Sequence, residues 1–172
     1  MPMIDRDFEL LRVLSTLVRE SGCEWVEARH AGRAAAEAGM ADDDFVESLN
    51  VLRHRRLVTV ETGINGNPLE VEITPVGFDA YSLRFIDGYA DLLRHAGQWL
   101  FDQGDDYPSN KQMAEAIHAD VMLTNHIIRV FSSRGWLRYG SMDMAGEMPV
   151  YDMSPELARL SAPGEEDAME AG

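Results

Sequence analysis

Five side chains in the second half of the chain are of the types that read nucleic acid: Lys111, Asn125, His126, Arg129 and Arg138. Asn and His offer donors and acceptors to base edges, while Lys and Arg neutralise phosphates, so the set could support contact with a duplex. Catalytic chemistry has much weaker material. His30, His54, His95, His118 and His126 show no metal-ligand spacing with one another or with Cys23. Gly63 and Gly66 fall in a turn-rich stretch, not in a phosphate-cradling loop. Asp42-Asp43-Asp44 is explained by the first turn of a helix, whose dipole favours carboxylates. Ser132-Ser133 has no base near it in sequence. No catalytic residue, metal site or cofactor is expected, and the chain is not read as an enzyme.

Those residues need elements to hold them, and Ser109 to Leu137 supplies the clearest ones. Ser109 with Gln112 makes a capping box at a helix start. Met113, Ala114 and Ile117 give that helix its apolar side. His118-Ala119-Asp120 turns a corner, and Asp120 can cap a second helix. Thr124, Ile127, Ile128 and Phe131 share one face of it at helical spacing. Met122, Asn125, His126, Arg129 and Ser133 then fall on the opposite face, which is expected to be exposed. Gly135 ends the helix, and Trp136-Leu137 opens an apolar extended stretch.

The first half carries the same order. Asp7 to Glu20 is amphipathic through Phe8, Leu11, Leu14, Leu17 and Val18, and Ser21-Gly22 ends it. Cys23 to Val26 reads as a brief strand. Helices follow over Arg29 to Ala38 and Asp42 to Arg55, the latter burying Phe45, Leu49 and Leu52. From Leu57 to Ile73 the period becomes two around a Gly- and Asn-rich loop, predicting a β-hairpin. Thr74-Pro75 caps a further helix towards Phe85. After Asp87-Gly88 another helix runs to about Gln103. A second hairpin is expected between Leu137 and Met153, with its tip near Met144 to Gly146.

The two halves read as a duplication. Leu10-Leu11-Arg12 recurs 82 residues on as Leu92-Leu93-Arg94, and Gly22 recurs as Gly104. Further along, Leu49 matches Ile128 and Leu52 matches Phe131, each 79 residues on. The difference of three is read as a shorter connection after Gly104. Thr74-Pro75 returns as Ser154-Pro155. The expected organisation is one domain over 1–86, a second over 87–160, and a disordered acidic tail over 161–172.

Charge cuts against nucleic acid. The net charge is -15, with 14 Arg but one Lys, whereas duplex binders gain affinity by neutralising phosphates. Residues 108–140 hold four bases against two acids, while 29–61 hold five against six. The third helix of the first half shows Asp43, Glu47, Asn50 and His54 opposite Leu49. Phosphates would repel its two acids. Arg53, His54, Arg55 and Arg56 form a basic run at a helix C-terminus, where the dipole favours cations. The single cysteine fits a reducing compartment. No apolar run approaches the roughly 18 residues of a membrane span, and the N-terminus lacks a signal-like pattern. A soluble, cytoplasmic protein is expected.

Helix, helix, helix, hairpin, capped helix, with patterns such as MAEAI and HIIRVFSSRGWL, resembles a winged-helix domain. The resemblance spans about residues 5 to 161 as a tandem pair, mainly α with small β-hairpins. It implies a third helix in the major groove and a hairpin at phosphates or the minor groove. Tandem acidic versions also resemble the winged-helix accessory subunits of bacterial chromosome-condensing complexes, which bind protein. Two expectations follow. One is a dimeric DNA-binding transcriptional regulator whose second repeat contacts double-stranded DNA through Lys111, Asn125, His126, Arg129 and Arg138. The other is a protein-interaction module that leaves DNA alone and docks a protein partner through acids such as Asp43 and Glu47.

Overall fold

The computed structural model describes residues 3–104 and 106–160 of the 172. The tail expected over 161–172 lies outside the described residues. Two compact units divide the chain, Met1–Asp87 and Gly88–Gly172. The described residues are mainly helical, with small antiparallel sheets of three and two strands.

The first unit runs α1 (Asp5–Ser21), β1 (Trp25–Glu27), α2 (Ala28–Glu37), α3 (Asp42–His54), β2 (Val58–Thr62), β3 (Pro68–Ile73) and α4 (Pro75–Phe85). Leu10, Leu11, Leu14 and Val18 of α1 are fully buried and form the centre of the core. The helix starts two residues before the expected position because the Asp7 carboxylate reaches back to accept from the Ile4 amide at 3.0 Å. Ala31 and Ala35 are also fully buried, and side chains this small let α2 pack closely on α1. Leu49 and Leu52 turn α3 inward. The strands lie in the order β1-β3-β2, all antiparallel, so Val26, Val71 and Val60 share the inward face. The Thr74 hydroxyl accepts from the Gly77 amide at 3.1 Å and opens α4. At Gly77 an added Cβ would sit 1.9 Å from the Leu57 carbonyl oxygen, so only glycine permits this approach.

The second unit runs α5 (Tyr89–Asp102), α6 (Asn110–Ile117), α7 (Val121–Ser133), β4 (Arg138–Tyr139), β5 (Val150–Tyr151) and α8 (Glu156–Arg159). Its core joins Ala96 and Leu100 to Met113, Ile127, Ile128, Phe131, Val150 and Leu157. The capping box forms as read, with the Gln112 amide donating to the Ser109 hydroxyl at 3.3 Å and the Ser109 amide to the Gln112 side chain at 2.8 Å. Asp120 caps α7 by accepting from the Leu123 amide at 2.7 Å. The hairpin expected between Leu137 and Met153 pairs only two residues on each side.

Several backbone contacts recur between the units. The Leu57 amide donates to the Leu52 carbonyl at 2.9 Å, and 79 residues on the Trp136 amide donates to Phe131 at 3.0 Å. Thr74 donates to the Leu57 carbonyl at 3.0 Å, as Ser154 does to Trp136 at 2.8 Å. Glu27 pairs with Glu70, and Ser109 bridges to Pro149. Glu27 and Ser109 both precede the second helix and stand 82 apart, but the turns after that helix stand 79 apart. Two of the three missing residues therefore lie in α6, which has 8 residues against 10 in α2, and the third in the turn after it, 118–120 against 38–41, and not in the connection after Gly104. The buried Ala31 and Ala35 recur 82 residues on as the buried Met113 and Ile117, so the shorter helix keeps its buried face.

Candidate functional site

The expected DNA-contact residues do not form an open surface. Leu123 through Ile128 are all buried, leaving α7 without a polar face along its middle. Asn125 is 6% exposed and His126 2%, so both depart from the exposed position that helical spacing assigns them. For Asn125 the cause is Asn110, the first residue of α6. Its side-chain amide donates to the Asn125 oxygen at 2.7 Å and to the Gly146 carbonyl at 3.2 Å. Its own oxygen accepts from the Met148 amide at 2.9 Å. One buried asparagine thus ties α6, α7 and the hairpin together.

The cations are engaged nearby. The Lys111 ammonium donates to the Ala145 carbonyl at the hairpin tip. Arg138 is exposed on β4, 3.6 Å from the Asp152 carboxylate. The Arg134 guanidinium lies 5.0 Å over the Trp136 ring. Arg129 is half-buried on α7.

In the first unit Asp43 is exposed at the start of α3. Glu47 accepts from Arg6 at 2.8 Å, and Arg6 also pairs with Asp44 and donates to the Ser48 hydroxyl at 3.2 Å. The hydrogen bond that Arg6 donates to Glu47 is the main cause that raises the Arg6 pKa, partly offset by desolvation. Glu47 therefore serves α1–α3 packing as well as the surface. Sequence spacing could not show this, because Arg6 lies 41 positions away.

A stronger acidic feature lies on the solvent face of the three-stranded sheet. Glu27 pairs directly with Glu70, and Glu70 with Glu61. One carboxylate from each strand therefore stands abreast in a single row. Trp25, Glu72 and Thr59 make the neighbouring row on the same face. Directly opposed like charges destabilise a sheet. Alternation in LVTVE and LEVEI shows which residues point outward, but only the register brings these three together.

Among the described residues no group of three or more His, Cys, Asp or Glu could hold a metal ion. Among them also, no helix is long and apolar enough to cross a membrane. No protein-family model matches the chain, and no curated protein matches it.

Proposed function

We propose that each unit is a winged helix and that the chain is a protein-interaction module, acting in the cytoplasm and docking its partner on acidic surface. The element order supports the fold: helix, strand or bridge, two helices, hairpin and closing helix in each unit. The observation that carries the function is the row Glu27, Glu70 and Glu61 across all three strands. Opposed like charges cost folding energy, and a cationic partner docked on the row would relieve that cost. The row is also a surface that phosphates would repel, on the hairpin that winged helices bring to DNA. The regulator reading draws less support, since two of its five contact residues are buried and Lys111 is engaged with the hairpin tip.

Two measurements on the full chain test the proposal. Titration against random duplex DNA at low ionic strength should give no binding, because a net charge of -15 and the acidic row on the hairpin oppose the approach of phosphates. Affinity capture from lysate should retain a defined partner, and Glu70→Lys with Glu61→Lys should release it. DNA binding lost on Lys111→Ala and Arg129→Ala would restore the regulator instead.

A further inference from the structure

Each unit has a cleft at the same place in its fold. In the first it measures about 380 Å³ and is lined by Glu27, Arg29, Glu61, Pro68, Leu69 and Glu70. In the second it measures about 530 Å³ and its lining includes Tyr107, Ser109, Lys111, Glu115, Asp143 and Glu147. Both volumes fall within the range of roughly 300–1,000 Å³ usual for ligand clefts. Glu27 and Arg29 correspond to Ser109 and Lys111, 82 residues on, and Pro68 corresponds to Glu147, 79 on. Both clefts thus lie between the start of the second helix and the outer side of the hairpin.

Their charge agrees although their residues do not. Each is lined by three carboxylates and one base. In the first unit the carboxylates come from the three strands. In the second they come from α6 and the hairpin loop, where the Asp143 oxygen also accepts from the Ala145 and Glu147 amides at 2.8 Å. An acidic excess built twice from non-equivalent positions marks the place itself. An exposed aromatic accompanies each cleft. Tyr107, 74% exposed, lines the second cleft, and its counterpart 82 residues earlier, Trp25, 39% exposed, lies outside the lining of the first but two residues before Glu27 on the same strand face. Carboxylates beside an open aromatic face suit a guanidinium or ammonium, through charge-assisted hydrogen bonds and cation–π contact.

We infer that each cleft receives an arginine- or lysine-bearing extended segment of a partner protein, one segment per unit. This deepens the interaction-module reading and rests on it. The test uses the full chain and an octapeptide of alternating Gly and Arg, with Gln replacing Arg in the control. Amide NMR shifts at low salt should move around Glu27, Arg29 and Glu70, and around Ser109, Lys111 and Glu147, for the Arg peptide alone. Trp25→Ala should weaken the first cleft and Tyr107→Ala the second, each by two- to fivefold, about the size of an exposed cation–π contact. Glu61→Gln provides a second variant of the first cleft should Trp25→Ala fail to fold. Equal response to both peptides, or shifts confined to other surfaces, would overturn the inference. If the peptide ignores the clefts while Glu70→Lys still releases the captured partner, the clefts fail and the module stands. If the clefts bind peptide while the captured partner ignores Glu70→Lys, the clefts stand and the docking face proposed above fails.

Discussion

The buried side chains of Asn110 and Asn125 are joined by a 2.7 Å hydrogen bond from amide to carbonyl oxygen. Their counterparts in the first unit are Ala28, 82 residues earlier, and Val46, 79 earlier. Neither can form such a bond, and Val46 is 53% exposed. The third helix is therefore covered near its start in the second unit and open at the same point in the first.

Asn110→Ala should destabilise the second unit by about 1–3 kcal/mol, because it leaves the Asn125 oxygen and the Met148 amide buried without their partner. Asn125→Ala should cost less after Asn110→Ala than alone, since both remove the same bond. Urea denaturation of the two single variants and the double variant measures this. Additive losses would show that the asparagines are energetically independent.

Arg56 and Gly135 occupy matching positions after α3 and α7, both in the left-handed region, at φ 59° and 74°. Each donates its amide three residues back at 2.9 Å, to Arg53 and to Ser132. A side chain in this conformation costs roughly 1–2 kcal/mol, offset in part by the greater unfolded freedom of glycine. Arg56→Gly should therefore raise stability, and Gly135→Ala should lower it by about 1 kcal/mol. Thermal melts at high salt separate this backbone effect from the lost charge. A lower melting temperature for Arg56→Gly would mean that the arginine side chain contributes more than the strain costs.

Local chemistry made most elements legible. Ser109 with Gln112, Asp120 and Thr74-Pro75 mark helix starts because a cap depends on residues only two or three apart. Positions that depend on distant partners were not legible. Helical spacing places Asn125 and His126 opposite Ile128, but the spacing carries no information about what folds over that side. Asn110 reads as an ordinary residue after a cap until Met148 and Gly146 arrive from a later element. The Glu27–Glu70–Glu61 row likewise requires the strand register, which alternation alone leaves undetermined.

The Arg12 guanidinium hydrogen-bonds Glu9 on the same face of α1. That bond, opposed by some desolvation and aided by the opposite charge, holds the Glu9 carboxyl below its ordinary range. A lowered folded-state pKa adds stability above the ordinary carboxylate pKa, and the gain is lost as pH falls through the folded value. Since both side chains are substantially exposed, the gain should be small. Arg12→Gln should move the Glu9 midpoint upward in a side-chain NMR titration. An unmoved midpoint would show that the pair does not persist in solution.

Glu70 stands between Glu27 and Glu61, so it faces a carboxylate on each side. Cross-strand pairs carry about 0.2–1 kcal/mol each, and like charges enter with unfavourable sign. Glu70→Gln removes both repulsions while keeping the shape of the side chain. It should therefore stabilise the first unit, and more than Glu61→Gln, which relieves one pairing. Glu72 faces Trp25 and Thr59 instead of carboxylates, so Glu72→Gln should not bring this gain. The gain from Glu70→Gln should shrink with added salt, because exposed charges are screened within a Debye length of about 10 Å at 0.1 M. If the row exists to meet a basic partner, the same substitution should weaken partner binding while it strengthens the fold. Denaturant midpoints at low and high salt, beside affinity for the captured partner, measure the two effects together. A variant that is less stable at low salt would show that the three glutamates do not repel one another and that the row carries no folding cost for a partner to relieve.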